Sequence, residues 1–188
     1  MKIKFWGVRG SIPTPISSES IQKKIRTTLK HVIKNNIISN RLEGIRIETS
    51  SDKNEILRNE LKDNERGISI IDSKDNMIHY NDIVNNKKGV YLLNSSSNIF
   101  KRNTLYENSK GIVFSEANNN YIYLNNIVMN NEQVYSEDES SYDNYWNNSD
   151  QRGNYWSDYE GVDDGSHGRT AGDGIGDTEI PHPEEKKV

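Results

Sequence analysis

The chain has 188 residues, of which 32% are hydrophobic and 28% charged; that is thin filling for a two-layer globule, but enough for a solenoid whose coils each bury a few side chains. Its formal net charge of −4, with acids gathered towards the C-terminus, gives no basic field for DNA or RNA. With no cysteine, disulfides, zinc–thiolate sites and thiol catalysis are excluded, and no apolar window is long enough to span a bilayer.

The opening MKIKFWGVRGSIP lacks the apolar core of a secretory signal peptide, so none is expected in this chain. Its KFWGVRGSIPTP stretch resembles the start of metallo-β-lactamase-fold hydrolases. That activity needs a tight His-x-His-x-Asp-His cluster for two metals, whereas His31, His79, His167 and His182 stand singly, so the activity is not carried over. Over residues 18–34, Ile21, Ile25, Leu29, Val32 and Ile33 recur at helical spacing with Ser18 as N-cap, which predicts an amphipathic helix covering the first coil.

From residue 36 onward, self-similarity dominates. Asn59, Asn81, Asn103, Asn125 and Asn147 stand 22 apart, with Asn36 one residue out of step, and Asn54, Asn76, Asn98 and Asn120 form a second column. Gly44, Gly67, Gly89 and Gly111 follow the first column in constant phase, each leading an alternating apolar pair such as Ile68 and Ile70 or Ile112 and Phe114. Two further apolar columns, Ile56, Ile78, Phe100, Ile122 and Leu61, Ile83, Leu105, Ile127, keep the same register. Three short strands per coil, with asparagine and glycine at the corners, describe a right-handed single-stranded parallel β-helix of five to six coils, all-β apart from the capping helix. The asparagines are read as amide ladders along the axis.

At the C-terminal end the glycine column fails at Gln133, and two related segments, DNYWNN and GNYWSDYEG, follow an acidic stretch. Tyr142, Tyr145, Trp146, Tyr155, Trp156 and Tyr159 are expected to close the last coil, with Tyr145, Trp146, Tyr155 and Trp156 as a sugar-stacking platform in the alternative reading. Asp163, Asp164, Asp173 and Asp177, set among glycines, offer hard oxygen ligands suited to calcium, although no EF-hand spacing is met; a solvated acidic tail is the competing reading. The resulting organisation is an N-terminal strand and helix over 1–35, repeats over 36–150, and a cap with an acidic tail over 151–188.

The coils together with GNYWSDYEG and GDGIGDT resemble the NosD-like, pectin-lyase-like family of β-helix repeats over roughly residues 36–181. The resemblance implies an exported or cell-surface domain that binds or processes carbohydrate, or one that helps deliver copper. Copper favours clustered Met, His or Cys, and Met77, Met129 and His79 read as isolated. The leading expectation is a non-catalytic scaffold or carbohydrate-binding surface, with Tyr80, Tyr91, Arg102, Tyr106 and Tyr123 available to face a glycan. The enzymatic alternative, a polysaccharide lyase or glycoside hydrolase, would draw on Asp72, Glu116 and Asp138, which share a column with Asn94 at alternate coils. Coils without insertion from Asn54 to Asn130 favour the scaffold, and caps at both ends favour a monomer.

Overall fold

The computed structural model describes residues 32–138, 143–150 and 152–159, all within the compact unit His31–Val188. Each coil contributes three strands. The first holds β1 (Val32–Lys34), β2 (Ile37–Ser39) and β3 (Glu43–Glu48), and the second β4 (Glu55–Leu57), β5 (Glu60–Lys62) and β6 (Arg66–Ile71). The third holds β7 (Met77–His79), β8 (Asp82–Val84) and β9 (Lys88–Leu93), and the fourth β10 (Ile99–Lys101), β11 (Thr104–Tyr106) and β12 (Lys110–Ser115). The last holds β13 (Tyr121–Tyr123), β14 (Asn126–Val128) and β15 (Glu132–Ser136), with a final rung from β16 (Tyr155–Trp156).

Equivalent strands pair in parallel, giving three sheets. Sheet A runs β1-β4-β7-β10-β13, sheet B β2-β5-β8-β11-β14-β16, and sheet C β3-β6-β9-β12-β15. The chain is therefore an all-β parallel β-helix of about five coils. The middle residue of each short strand points inward because side chains alternate across a strand. Ile56, Ile78 and Ile122, and likewise Leu61, Ile83 and Ile127, are fully buried one above the other, and sheet C adds Ile68, Val90 and Ile112 beside Ile70, Leu92 and Phe114. Burying each such side chain contributes about 1.5–3 kcal/mol.

The corners need a left-handed backbone, and the residues there are mostly not glycine. Between sheets A and B stand Asn35, Arg58, Tyr80, Arg102 and Leu124, with φ of 56, 52, 54, 55 and 56°. Each precedes a ladder asparagine, whose bonds hold the turn in a conformation that costs an ordinary residue about 1–2 kcal/mol. Asn81 is typical. Its Oδ1 accepts from the backbone N–H and Nδ2 of Asn59 (3.0 and 2.9 Å), and its Nδ2 donates to Asn103 Oδ1 (2.9 Å), Ile56 O (3.0 Å) and His79 O (3.1 Å). Asn59, Asn81, Asn103 and Asn125 form this ladder, and Asn54, Asn76, Asn98 and Asn120 the second, as the sequence indicates. A third ladder, Asn64, Asn86, Asn108 and Asn130, turns the corner from sheet B to sheet C.

Glycine is required for a different reason. A Cβ on Gly67 or Gly89 would lie 2.6 Å from the carbonyl oxygen of the next coil's glycine, and on Gly111 2.4 Å from Gln133 O. Gln133 takes the next place in that column, in the last described coil, β13 to β15. The extra residue that sets Asn36 out of step sits at Thr49–Ser50, two consecutive residues at positive φ before the 22-residue register resumes at Ser51.

Most of the expected helix 18–34 lies outside the described residues. Its last three residues are strand β1 instead, because Ile33 pairs with Ile56 and extends the inward column downward. The solenoid thus begins before residue 36, and its final rung, Tyr155–Trp156, lies past 150.

Candidate functional site

The two NYW segments finish the helix. Every ladder donates towards the C-terminal coil, so its last member needs an acceptor from outside the regular repeat. Asn144 supplies it to Asn120 (3.0 Å), Asn154 to Asn125 (2.9 Å), and Gln133 Oε1 to Asn130 (2.7 Å). Asn147, although 22 residues after Asn125, is exposed and takes no rung: it opens a loop knitted by the Asn148 side chain, and Asn154 takes its expected place.

The next residue of each motif points outward and the one after points inward, by strand alternation. Trp156 stacks on the Ile127 column and is buried, while Trp146 packs edge-on to Phe114 (centroids 6.0 Å) and tilted against Trp156 (5.5 Å). Of the four aromatics, the two tryptophans therefore cap the core, as the lid reading expects. Tyr145 and Tyr155 stay exposed, at 47% and 62%. Tyr142 and the aspartates Asp163, Asp164, Asp173 and Asp177 lie outside the described residues. Among the described residues no group of three His, Asp or Glu stands close enough to hold a metal ion, and no helix is long and apolar enough to cross a membrane.

Tyr145 continues the outer face of sheet A. Its ring stacks on Tyr121 at 4.7 Å and 13°, and Tyr121 is itself 40% exposed. Below this pair the same column holds Ile99, Met77, Glu55 and Val32, and the neighbouring column Tyr123, Lys101, His79, Leu57 and Lys34. Glu55 and His79 are bonded to each other (2.7 Å). At the adjoining corner, Arg102 donates to the hydroxyl of Tyr80 and lies over its ring at 5.6 Å. This face carries the exposed Tyr121 and Tyr145 at its upper end, and the sequence reading did not single out Tyr121 within it. The pairing Tyr121↔Tyr145 was hidden by a longer last coil, which places them 24 rather than 22 residues apart.

The other candidates scatter. Tyr91, Tyr106 and Tyr123 sit on sheets C, B and A respectively, and Tyr80 with Arg102 on the corner between A and B. Asp72, Asn94 and Glu116 form an exposed corner column at positive φ, where Asn94 donates to Asp72 Oδ1 (2.7 Å) and the Glu116 backbone N–H to Asp138 Oδ2 (2.5 Å). These acids act as an outer ladder, and an amide separates Asp72 from Glu116.

Sheet C carries charge in matched pairs. Glu43 accepts from Arg46 (2.8 Å) and Arg66 (2.9 Å), and Lys88 reaches Glu137, which spans the intervening coil. Burial alone would raise the Glu43 carboxyl, but its hydrogen bonds from Arg46 and Arg66 hold it below the usual value. Tyr91, beneath Arg66 and Lys88, is 7% exposed; burial first, then the negative charge of Glu137, raises its phenol.

A search of curated proteins returns no significant match. Among solved structures the chain is similar to the periplasmic alginate epimerase AlgG, crystallised as a double mutant, with 28% identity and a TM-score of 0.53 over 55% of this chain and 26% of that one. The chain thus spans about a quarter of that protein's length. A family model described as periplasmic copper-binding protein (NosD) matches residues 18–161, three quarters of the sequence and every described coil, and the chain belongs to this NosD family of β-helix proteins.

Proposed function

We propose that the chain is a non-catalytic carbohydrate-binding β-helix that holds a polysaccharide along the outer face of sheet A. The observation that carries this reading is the exposed Tyr121–Tyr145 stack, continued by Ile99 and Met77. Pyranose rings present C–H faces that pack on aromatic rings, and a flat column rising about 4.8 Å per coil matches a linear chain of sugars better than a compact ligand. The likeness to an alginate epimerase supports a polysaccharide as partner. Both that neighbour and the family description are periplasmic, which supports a place outside the cytoplasm.

Copper finds less support in the residues. Met77 and His79 share the outer face of β7, but the His79 ring is engaged by Glu55, and Met129 lies at the corner beyond sheet B. Two soft or borderline donors make an incomplete copper set. Calcium at Asp163, Asp164, Asp173 and Asp177 is a separate proposal, tested by calcium dependence of binding. The enzymatic alternative would rest on Asp72, Glu116 and Asp138, of which Asp72 and Asp138 already accept hydrogen bonds from the coils.

The test is affinity electrophoresis through gels containing neutral and acidic polysaccharides, with calcium or with chelator, alongside assays for reducing and unsaturated ends. Retention without products, lost in the Tyr121→Ala/Tyr145→Ala double variant, is the expected result. Product release, or retention indifferent to both tyrosines, would overturn the proposal.

A further inference from the structure

Sheet A differs from the other two faces in how its charge is balanced. Along its edge with sheet B, Lys34, Arg58, Lys101 and Arg102 follow one another through the first, second and fourth coils. None of them has an ion-pair partner within reach among the described residues, whereas the cations of sheet C and Lys62 of sheet B are paired. The outer face of sheet A carries one carboxylate, Glu55, already bonded to His79. Four unpaired cations against one engaged acid is a positive stripe on a chain whose net charge is −4. The acids nearest on the sheet B side, Glu60 and Asp82, lie beyond the buried asparagine ladder, and Glu60 is bonded to Lys62.

From these positions we infer that the polysaccharide is acidic and lies parallel to the solenoid axis, with its carboxylates along the Lys34–Arg102 edge and its sugar faces on Tyr121 and Tyr145. This rests on the reading of sheet A as the carbohydrate face and adds the chemical class of the ligand. Strand stacking spaces the coils about 4.8 Å apart, so the five strands of sheet A and the Tyr145 rung beyond them cover roughly 24 Å, enough for several sugars in register with the cations. Arg102 is the best placed of the four. The Tyr80 hydroxyl takes one guanidinium N–H and the ring supports its plane, so the remaining donors are held in a fork suited to a carboxylate. Electrostatic attachment along a polymer, with the rings supplying contact area, predicts binding that weakens as salt rises.

The experiment is titration calorimetry of the full chain with polygalacturonate and with the same polymer after carboxyl reduction to the neutral galactan, at low and at physiological salt. Three variants accompany the wild type: Arg58→Gln/Lys101→Gln/Arg102→Gln, Arg102→Gln alone, and Lys62→Gln/Lys87→Gln as a control on other faces. All replaced side chains are at least partly exposed, and thermal unfolding monitors the fold. The expected result is binding of the acidic polymer, a loss of about tenfold or more in the triple variant, a smaller loss for Arg102→Gln, little change in the control, and much weaker binding of the reduced polymer. Equal affinity for both polymers, or an unaffected triple variant, overturns the acidic assignment while leaving the carbohydrate reading in place. Failure of both polymers to bind sinks the two together. Equal binding of single-stranded DNA would show a general polyanion surface and likewise overturn it.

Discussion

Replacing Asn81 by alanine isolates what one ladder rung contributes. Its side chain makes five hydrogen bonds of 2.9–3.1 Å from a fully buried position. The substitution strands the Asn59 backbone N–H, takes one of three acceptors from Asn59 Nδ2, which keeps Ile33 O and Leu57 O, and leaves Ile56 O and His79 O without that donor. At about 1 kcal/mol per neutral bond, with buried orphans adding to it, the expected cost is about 4–6 kcal/mol, a large share of the 5–15 kcal/mol that holds a typical domain together. Asn36 begins the same ladder among the described residues and is exposed, so Asn36→Ala should cost about 1 kcal/mol. Urea unfolding followed by far-ultraviolet circular dichroism measures both. A cost for Asn81→Ala below ~2 kcal/mol, or equal costs at the two positions, would refute the view that a buried ladder amide contributes through all of its hydrogen bonds.

Gly89→Ala should lose about 2–3 kcal/mol in the same assay, because the new methyl meets Gly111 O at 2.6 Å, whereas Gly153→Ala, with its nearest contact at 3.4 Å, should be close to neutral. Trp156→Ala opens a cavity over Ile127 and should cost about 3–5 kcal/mol, with faster amide exchange first in β14; Tyr155→Ala, 62% exposed, should cost under about 0.5 kcal/mol. Glu43 contributes stability that is present above the carboxylate's unfolded value and lost as pH falls through its lowered folded one. Stability of wild type relative to Glu43→Gln should therefore be constant near neutrality and shrink on acidification below about pH 4.5. A gap that widens in acid would contradict the ion pairs drawn for sheet C.

A period of 22 made most of the fold readable, because each column of inward residues obeys one packing constraint repeated coil after coil. Asn59 through Asn125 and Gly67 through Gly111 are repeated for that reason. The third ladder, Asn64 to Asn130, is equally periodic and shows no less clearly once the corner from sheet B to sheet C is in view. Asn147 shows where periodicity misleads: it keeps the spacing after the chain has left the coil, and only the loop of Asn148 reveals that Asn154 holds the rung. The NYW segments read as a lid or as a sugar platform, and both are partly present, since sequence cannot say which of two adjacent rings turns inward until a strand fixes the alternation. The cations of sheet A were illegible for a different reason. Charged residues are common at solvated turns, and a row such as Arg58, Lys101 and Arg102 becomes distinct only when register shows that its neighbours carry no matching acids.

The one-way direction of the amide ladders gives the protein a grammar. Each coil hands its donors forward and asks only for an acceptor at the same three corners above, so an added coil is accepted without notice by those on either side. Asn144, Asn154 and Gln133 are then punctuation: they meet the request at the three corners. Duplication of a 22-residue unit can lengthen such a chain without redesigning either end, and each of the three sheets would grow by one rung each time. Shortening is as simple, provided the stop signal survives. Selection could in this way tune reach along a polymer while leaving the chemistry of every individual rung untouched.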